Sequence, residues 1–220
     1  MTRFRHFRAD PGFAAGWTTF HMPIPLWSSP DEARWRSALA TYDAVIEAQG
    51  VASLPAHERW YRDELPQQLH RRSPASLRHD ELVRVTEWKM ARGVWRARNL
   101  VLVRGNTPDE VSSAGTDAFA LVPHPGRPIT RLAQLAGVGP ATASAVLAAY
   151  APEEYPFFDE VVAAQIPDLG PVAFTAGYYG RYATAIRDRA ASLGAPWTPV
   201  SVEQALWAAV GGTRGGLSRA

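Results

Sequence analysis

The run Leu132-Ala-Gln-Leu135-Ala-Gly137-Val138-Gly139-Pro140-Ala-Thr142-Ala143-Ser144-Ala-Val146-Leu147 constrains this chain more than any other segment. Two apolar stretches are separated by Gly-Val-Gly, which predicts two helices folded back on one another within residues 128–150. Glycine adopts the positive-φ conformation that ends a helix and lets a second backbone come close. Val138 would plug the space between the helices, and Pro140 would occupy the first helical position, where its missing N–H is not needed. The N–H groups of that first turn then face outward beside residues without bulky side chains, which suits a phosphate. Ala143, Ser144 and Ala145 are small enough for tight helix packing.

Helix signals continue on both sides. Ser29-Pro30-Asp31-Glu32 reads as a cap, a proline and first-turn acids, opening a helix to Gln49 with Trp35, Leu39, Tyr42 and Ile46 at helical spacing and a stop at Gly50. Further helices are expected over His57–Arg72 (disturbed near Pro66), Leu77–Arg92, Pro108–Leu121, Pro128–Ala136, Pro140–Tyr150, Phe174–Leu193 and Val202–Val210, before a glycine-rich tail. Asn99–Val103 could be a strand or a buried helix, and its surroundings favour helix. The fold class expected is all-α.

Composition narrows the chemistry. The 220 residues contain no cysteine, which excludes disulfides, thiolate metal sites and cysteine nucleophiles. Among 23 basic residues Lys89 is the only lysine. The net charge of +2 hides opposed segments: +5 over residues 1–104, −6 over 105–170 and +3 over 171–220. The acidic middle argues against a protein that simply coats a polyanion. Met1–Arg8 is basic but no apolar run follows, so no secretory signal or membrane span is expected, and a cytoplasmic, reducing compartment is the default. His6, His21, His57, His70, His79 and His124 lack metal-ligand spacing.

Downstream of the hairpin stands Tyr155-Pro156-Phe157-Phe158-Asp159-Glu160-Val161-Val162, with Asp159 18 positions after Ala141. Hairpin and aspartate together resemble the HhH-GPD superfamily of base-excision DNA glycosylases, whose hairpin reads L-P-G-V-G-x-x-T-A and is followed by an aspartate in an apolar-Asp-x-x-V context. The resemblance covers residues 128–166. It implies a two-lobed helical bundle in which both chain ends share one lobe, here 1–50 plus 170–220 against 55–165. It also implies a protein acting on double-stranded DNA, as a monomer and nucleoid-associated. Gly137, Val138, Gly139, Pro140, Ala141 and Thr142 would then hold the DNA backbone, and the hairpin carbonyls could take a monovalent cation. Glu81–Arg96 is also similar to glycosylase-like proteins with a Trp-Lys-x-x-Arg-Gly motif.

There are departures. Ala136 replaces the first proline of the hairpin motif, and Glu160-Val161 replaces the residue pairs usual after the aspartate. Ala141 stands where bifunctional members carry a lysine nucleophile, so no lyase activity is implied. The absence of cysteine rules out the 4Fe–4S cluster that many members hold.

The chemistry implied is hydrolysis of an N-glycosidic bond. Positive charge develops on the sugar as the base leaves, and a carboxylate near the anomeric carbon stabilises it and deprotonates the attacking water. Asp159 is the candidate, with Phe157 and Phe158 as a dry wall; the ordinary alternative is the N-cap of the next helix, a role the same residue could fill. A flipped base needs aromatic surfaces, for which Trp88, Trp95, Phe158, Tyr178 and Tyr179 are candidates, against the plainer expectation of core packing. Trp17 and Trp27 are expected to pin the N-terminal arm. Lys89, Arg92 and Arg96 fall at i, i+3 and i+7, which predicts a cationic helix face toward DNA, with Arg84, Arg98 and Arg104 nearby; a solvated face balanced by Glu81 and Glu87 is the alternative. Lys89 is read as an amine nucleophile or a recognition contact. A non-catalytic DNA-binding module and a helical protein-interaction domain remain as alternative functions.

Overall fold

Aspartate, threonine and proline open most of the helices. The computed structural model describes residues 25–215; Met1–Arg8, Trp17, His6 and His21 lie outside them. After a 3-10 turn at Leu26–Ser28, Asp31 caps α1 (Glu32–Ala40) by accepting from Ala33 N at 3.0 Å. Asp31 rather than Ser29 is therefore the cap. The single helix expected to Gln49 breaks at Thr41, whose hydroxyl donates to the Ala38 carbonyl at 2.7 Å and competes with the backbone ladder. α2 (Tyr42–Ala48) resumes beyond it, and Gly50, at φ +68°, lies past its end.

The disturbance expected at Pro66 is a π turn. α3 (Leu54–Arg59) and α4 (Leu65–His70) are joined through Trp60–Glu64, where Leu65 N donates to the Trp60 carbonyl five residues back. Pro66 has no N–H to bond the Arg62 carbonyl, and the wider turn absorbs that loss. α5 (His79–Arg92) starts with the Glu81 carboxylate accepting from Arg78 N at 2.9 Å. The ambiguous Asn99–Val103 run is helical, inside α6 (Ala97–Arg104). α7 (Pro108–Ala120) opens on a Thr107/Glu110 capping box.

α8 (Arg127–Leu132) is shorter than expected, because the chain turns from Ala133 onward, and α9 (Pro140–Tyr150) has the expected limits. α10 (Glu160–Ala163), α11 (Ala176–Leu193, capped by Thr175), α12 (Pro199–Ala209, capped by Thr198) and α13 (Gly212–Gly215) complete the described chain. Part of the expected glycine-rich tail is thus helical. Among the described residues there is no strand, and no helix is long and apolar enough to cross a membrane.

α12 is the hub for the helices near both chain ends, packing on α1, α2 and α11, while α5 packs on α3, α7 and α9. The buried apolar residues form one continuous cluster. Trp35, Trp60, Trp88 and Trp207 are fully inside it. Trp27 is held at its edge by Arg189, whose Nη2 donates to the Trp27 carbonyl at 2.8 Å and whose guanidinium lies 4.8 Å from the ring centre.

Candidate functional site

Residues 133–139 join α8 to α9, and this turn is anchored to a neighbour the sequence did not reveal. Gly137 has φ +75°, and a Cβ there would lie 2.6 Å from the Asn99 carbonyl and 2.9 Å from Val103 N of α6. The close approach that requires glycine is thus α6 backbone. Asn106, buried just past α6, clamps the turn from the other side: its Oδ1 accepts from Ala136 N at 2.8 Å and its Nδ2 donates to the Ala136 carbonyl at 3.0 Å. Val138 is buried as a plug, and the Thr142 side chain is buried too, so neither side chain faces a ligand. Gly139 is exposed, no side chain caps α9, and a Cβ on Gly139 would meet nothing within 4 Å. The leading N–H groups of α9, at Ala141 and Thr142, therefore take no side-chain cap. The Leu135 and Ala136 carbonyls accept from Val138 N and Asn106 Nδ2.

Residues 155–159 are irregular, and side chains of α9 and α11 pin them. Tyr182 Oη donates to the Phe157 carbonyl at 2.7 Å, Tyr179 Oη to the Pro156 carbonyl at 3.2 Å, and Ser144 Oγ accepts from Phe158 N at 2.9 Å. Phe158 sits among the rings of Phe174, Tyr178, Tyr179 and Tyr182, with centroids 5.2–5.8 Å away. Tyr178 and Tyr179 are buried supports of this segment, not surfaces open to a base. Trp88 is corrected in the same way. It stacks on Tyr61 at 3.6 Å and donates from Nε1 to Glu58 Oε2 at 2.6 Å inside the core.

Asp159 follows at the start of α10. Its Oδ1 accepts from Val161 N at 2.8 Å, the expected cap, while its Oδ2 faces Arg92 Nε across 4.0 Å.

Arg92 is the main departure from expectation. It is 2% exposed, and its guanidinium points into the core, with Nη2 2.5 Å from Glu203 Oε1. The rings of Trp207, Phe157, Tyr42 and Trp88 surround it at 4.5–5.7 Å. Its Nε is buried without a hydrogen-bond partner. The cationic face of Lys89, Arg92 and Arg96 does not exist, because Arg92 shares the inward face of α5 with Val85 and Trp88 and the helix ends at Gly93. Arg84 lies 4.2 Å from the Trp60 ring centre, and Arg104 pairs with Glu87 at 2.8 Å. Arg96 and Arg98 are exposed.

Burial pushes the Glu203 carboxyl up to about 8, against the pull of Arg92 and with Asp159 adding to the rise. Asp159 and Glu203 thus share one buried guanidinium, with Glu58 held nearby by Tyr42 and Trp88, and a retained proton on Glu203 lowers the excess negative charge. Glu203 and Glu58 were not anticipated as parts of the site. The one available signal for Glu203 is a lone charge inside the apolar run Val202–Trp207.

Six of the expected residues, Phe157 among them, meet in one cleft. Lys89, Arg96, Ala141, Phe157, Phe158 and Asp159 line it together with Glu160, Gly93, Val94, Phe174 and Thr213. The cleft offers about 60 Å³, room for a few waters and far below the ~300–1,000 Å³ of a drug-sized pocket. At its rim Val94 and Phe174 are 52% and 46% exposed, and the adjoining Trp95 is 58% exposed. Burial holds the Lys89 ammonium below the ordinary lysine range; Arg96 adds to the shift, and Asp159 and Glu160 oppose it. No group of three or more His, Asp or Glu among the described residues is arranged to hold a metal. The chain matches no family model, no curated protein and no solved structure.

Proposed function

We propose that this chain is a DNA-binding, base-excision glycosylase-like protein that hydrolyses the N-glycosidic bond of a flipped, damaged or modified base. One observation carries the reading: Asp159, held by its cap bond, opens on the same small cleft as Ala141 in the uncapped first turn of α9. A phosphate on that turn would bring the neighbouring sugar toward the carboxylate. The cleft admits a sugar carbon and a water rather than a whole base, so the departing base lies at the rim against Trp95, Val94 and Phe174. Asp159 would stabilise the positive charge developing on the sugar and take the proton of the attacking water. Arg92, behind it, would hold Oδ2 toward the core side.

The test is release of free base from a panel of modified duplexes by the wild type and by Asp159→Asn. Asparagine caps a helix as well as aspartate does, so the variant removes the charge and keeps the cap; its unfolding transition checks that the protein remains folded. Release should fall about 10²–10⁴-fold, and unchanged release would refute the assignment. Duplex binding without release from any substrate would favour a non-catalytic DNA-binding module. Absence of duplex binding would favour a protein-interaction domain.

A further inference from the structure

A second recess lies at the other end of α9. Ala141, on the cleft, belongs to the first turn of that helix, whereas Ala148 and Ala149, in its last turn, line this recess together with the start of α12. It offers about 220 Å³, room for about seven waters or one small ring system. Tyr61, Pro66, Pro152, Val200 and Gln204 form most of its walls. Gln204 is 6% exposed, yet its amide forms no hydrogen bond with another described residue. Gln49 and Asn106, the other amides buried this deeply among the described residues, are both paired: Gln49 Nε2 donates to the Val45 and Gly211 carbonyls, and Asn106 clamps Ala136. An unpaired buried amide costs stability, so a ligand that pairs with Gln204 removes a cost the fold otherwise carries.

The other polar groups of the lining narrow the ligand. Tyr61 Oη donates to the Ala145 carbonyl at 2.7 Å, and the Thr198 and Ser201 hydroxyls are closed within the cap of α12. Arg62 pairs with Asp43 at 3.2 Å, and among the described residues no carboxylate lines the recess. Pro152 has no N–H to return to the Ala148 carbonyl, and neither that carbonyl nor the one at Ala149 accepts from a described residue. A charged ligand would thus find no unpaired counter-charge, whereas N–H donors find free acceptors. We propose that this recess binds a small, neutral, planar heterocycle carrying an N–H beside a C=O, the class that includes the free pyrimidine and purine bases with a lactam edge. Gln204 Oε1 accepts from the ring N–H while Nε2 donates to the ring carbonyl, the two-bond pairing open to an amide at a base edge. Pro66, Pro152, Val200 and Tyr61 give the ring its apolar walls. This site is separate from the cleft and takes its ligand whether or not base excision occurs there.

The experiment titrates the whole protein with uracil and hypoxanthine, molecules of one and two rings with such an edge. The control is 1,3-dimethyluracil, which keeps the ring and both carbonyls but has no N–H. At least one of the two bases should bind saturably with a Kd of about 1 mM or tighter, and the dimethyl compound at least about tenfold more weakly. Changes in backbone amide resonances should centre on residues 148–151 and 200–204 rather than on 157–160. Gln204→Met keeps the length of the side chain and removes both hydrogen-bonding groups. It should weaken the base at least about tenfold and leave Tm unchanged or raised, since an apolar group replaces an unpaired amide. A lowered Tm with unchanged affinity would show an amide that serves the fold and overturn the proposal. No saturable binding of either base, equal affinity for the dimethyl compound, or resonance changes centred on the Asp159 cleft would each overturn it too. The comparison of ligands on the wild type decides the matter even if Gln204→Met fails to fold. None of these readouts involves base release, so the excision reading, tested by Asp159→Asn, fails or stands separately.

Discussion

At the scale of single residues, the contrast between Lys89 and Arg92 shows what sequence spacing resolves and what it does not. Both stand on α5, three positions apart, and helical spacing alone predicts one outward cationic face for them. Their phase already differed: Val85, Trp88 and Arg92 repeat at three and four residues, the interval of a buried stripe, and Lys89 sits at its edge. A charge is taken to be exposed by default, and only a partner from elsewhere overturns that. Here the partner is Glu203, 111 positions away, which local pattern does not reveal. The pair carries a prediction about pH. With its carboxyl pushed up to about 8, Glu203 binds a proton in the folded state that the unfolded chain releases near its ordinary 4.5. Between those two values the folded state holds more protons, so this group's contribution to stability falls as pH rises. Thermal unfolding of the wild type between pH 5 and 8 should show that loss, of the order of a few kcal/mol. Glu203→Gln, which mimics the protonated form, should remain folded at pH 6 and lose the slope. An unchanged slope in the variant would show that the retained proton lies elsewhere.

At the scale of elements, the hairpin was legible because its signals are local: glycine for a turn, proline for a helix start, small residues for packing. The support beneath it was not. α6 lies against Gly137, and Asn106 brackets Ala136, through contacts that no periodicity encodes. The same limit applies to the Phe-Phe-Asp segment: the motif is visible in the sequence, but Tyr179, a candidate surface for a base, instead pins it, together with Tyr182, which carries no local signal. The two hairpin glycines therefore answer different demands. Gly137→Ala would strain a φ of +75° and drive a Cβ against α6 backbone. It should cost about 1–3 kcal/mol in denaturant unfolding. Gly139→Ala meets open space at an extended φ and should cost less than about 1 kcal/mol. If a phosphate approaches the α9 N-terminus, the added methyl at Gly139 should nevertheless weaken duplex binding several-fold. A Gly139→Ala protein that binds duplex as tightly as wild type would move the DNA contact away from the hairpin.

At the scale of the whole molecule, charge limits the DNA binding proposed above. The hairpin belongs to the −6 segment of residues 105–170, so the turn offers backbone N–H groups with little cationic support of its own. The fold partly offsets this by bringing α5 and the start of α6, from the +5 segment, beside the cleft that α9 lines. Most of that positive charge is nonetheless spent internally: Arg92 on Glu203, Arg104 on Glu87, Arg72 on Glu81. Sequence arithmetic counts these arginines as available, and only the fold shows that they are paired. Arg96, on the cleft, and Arg98, next to it on α6, remain exposed and engaged in no ion pair with another described residue. Affinity for duplex should accordingly be modest and carried by few phosphate contacts. Each phosphate neutralised by a basic side chain contributes about 0.9 to the slope of log K against log salt. Fluorescence anisotropy with a labelled duplex, over a series of salt concentrations, should give a shallow slope for the wild type. Arg96→Gln and Arg98→Gln should each reduce it by about one. Arg104→Gln, whose side chain is paired with Glu87, should leave the slope nearly unchanged. A steep wild-type slope that survives both substitutions would place the DNA on another face, away from Asp159 and Lys89, and would count against chemistry in this cleft.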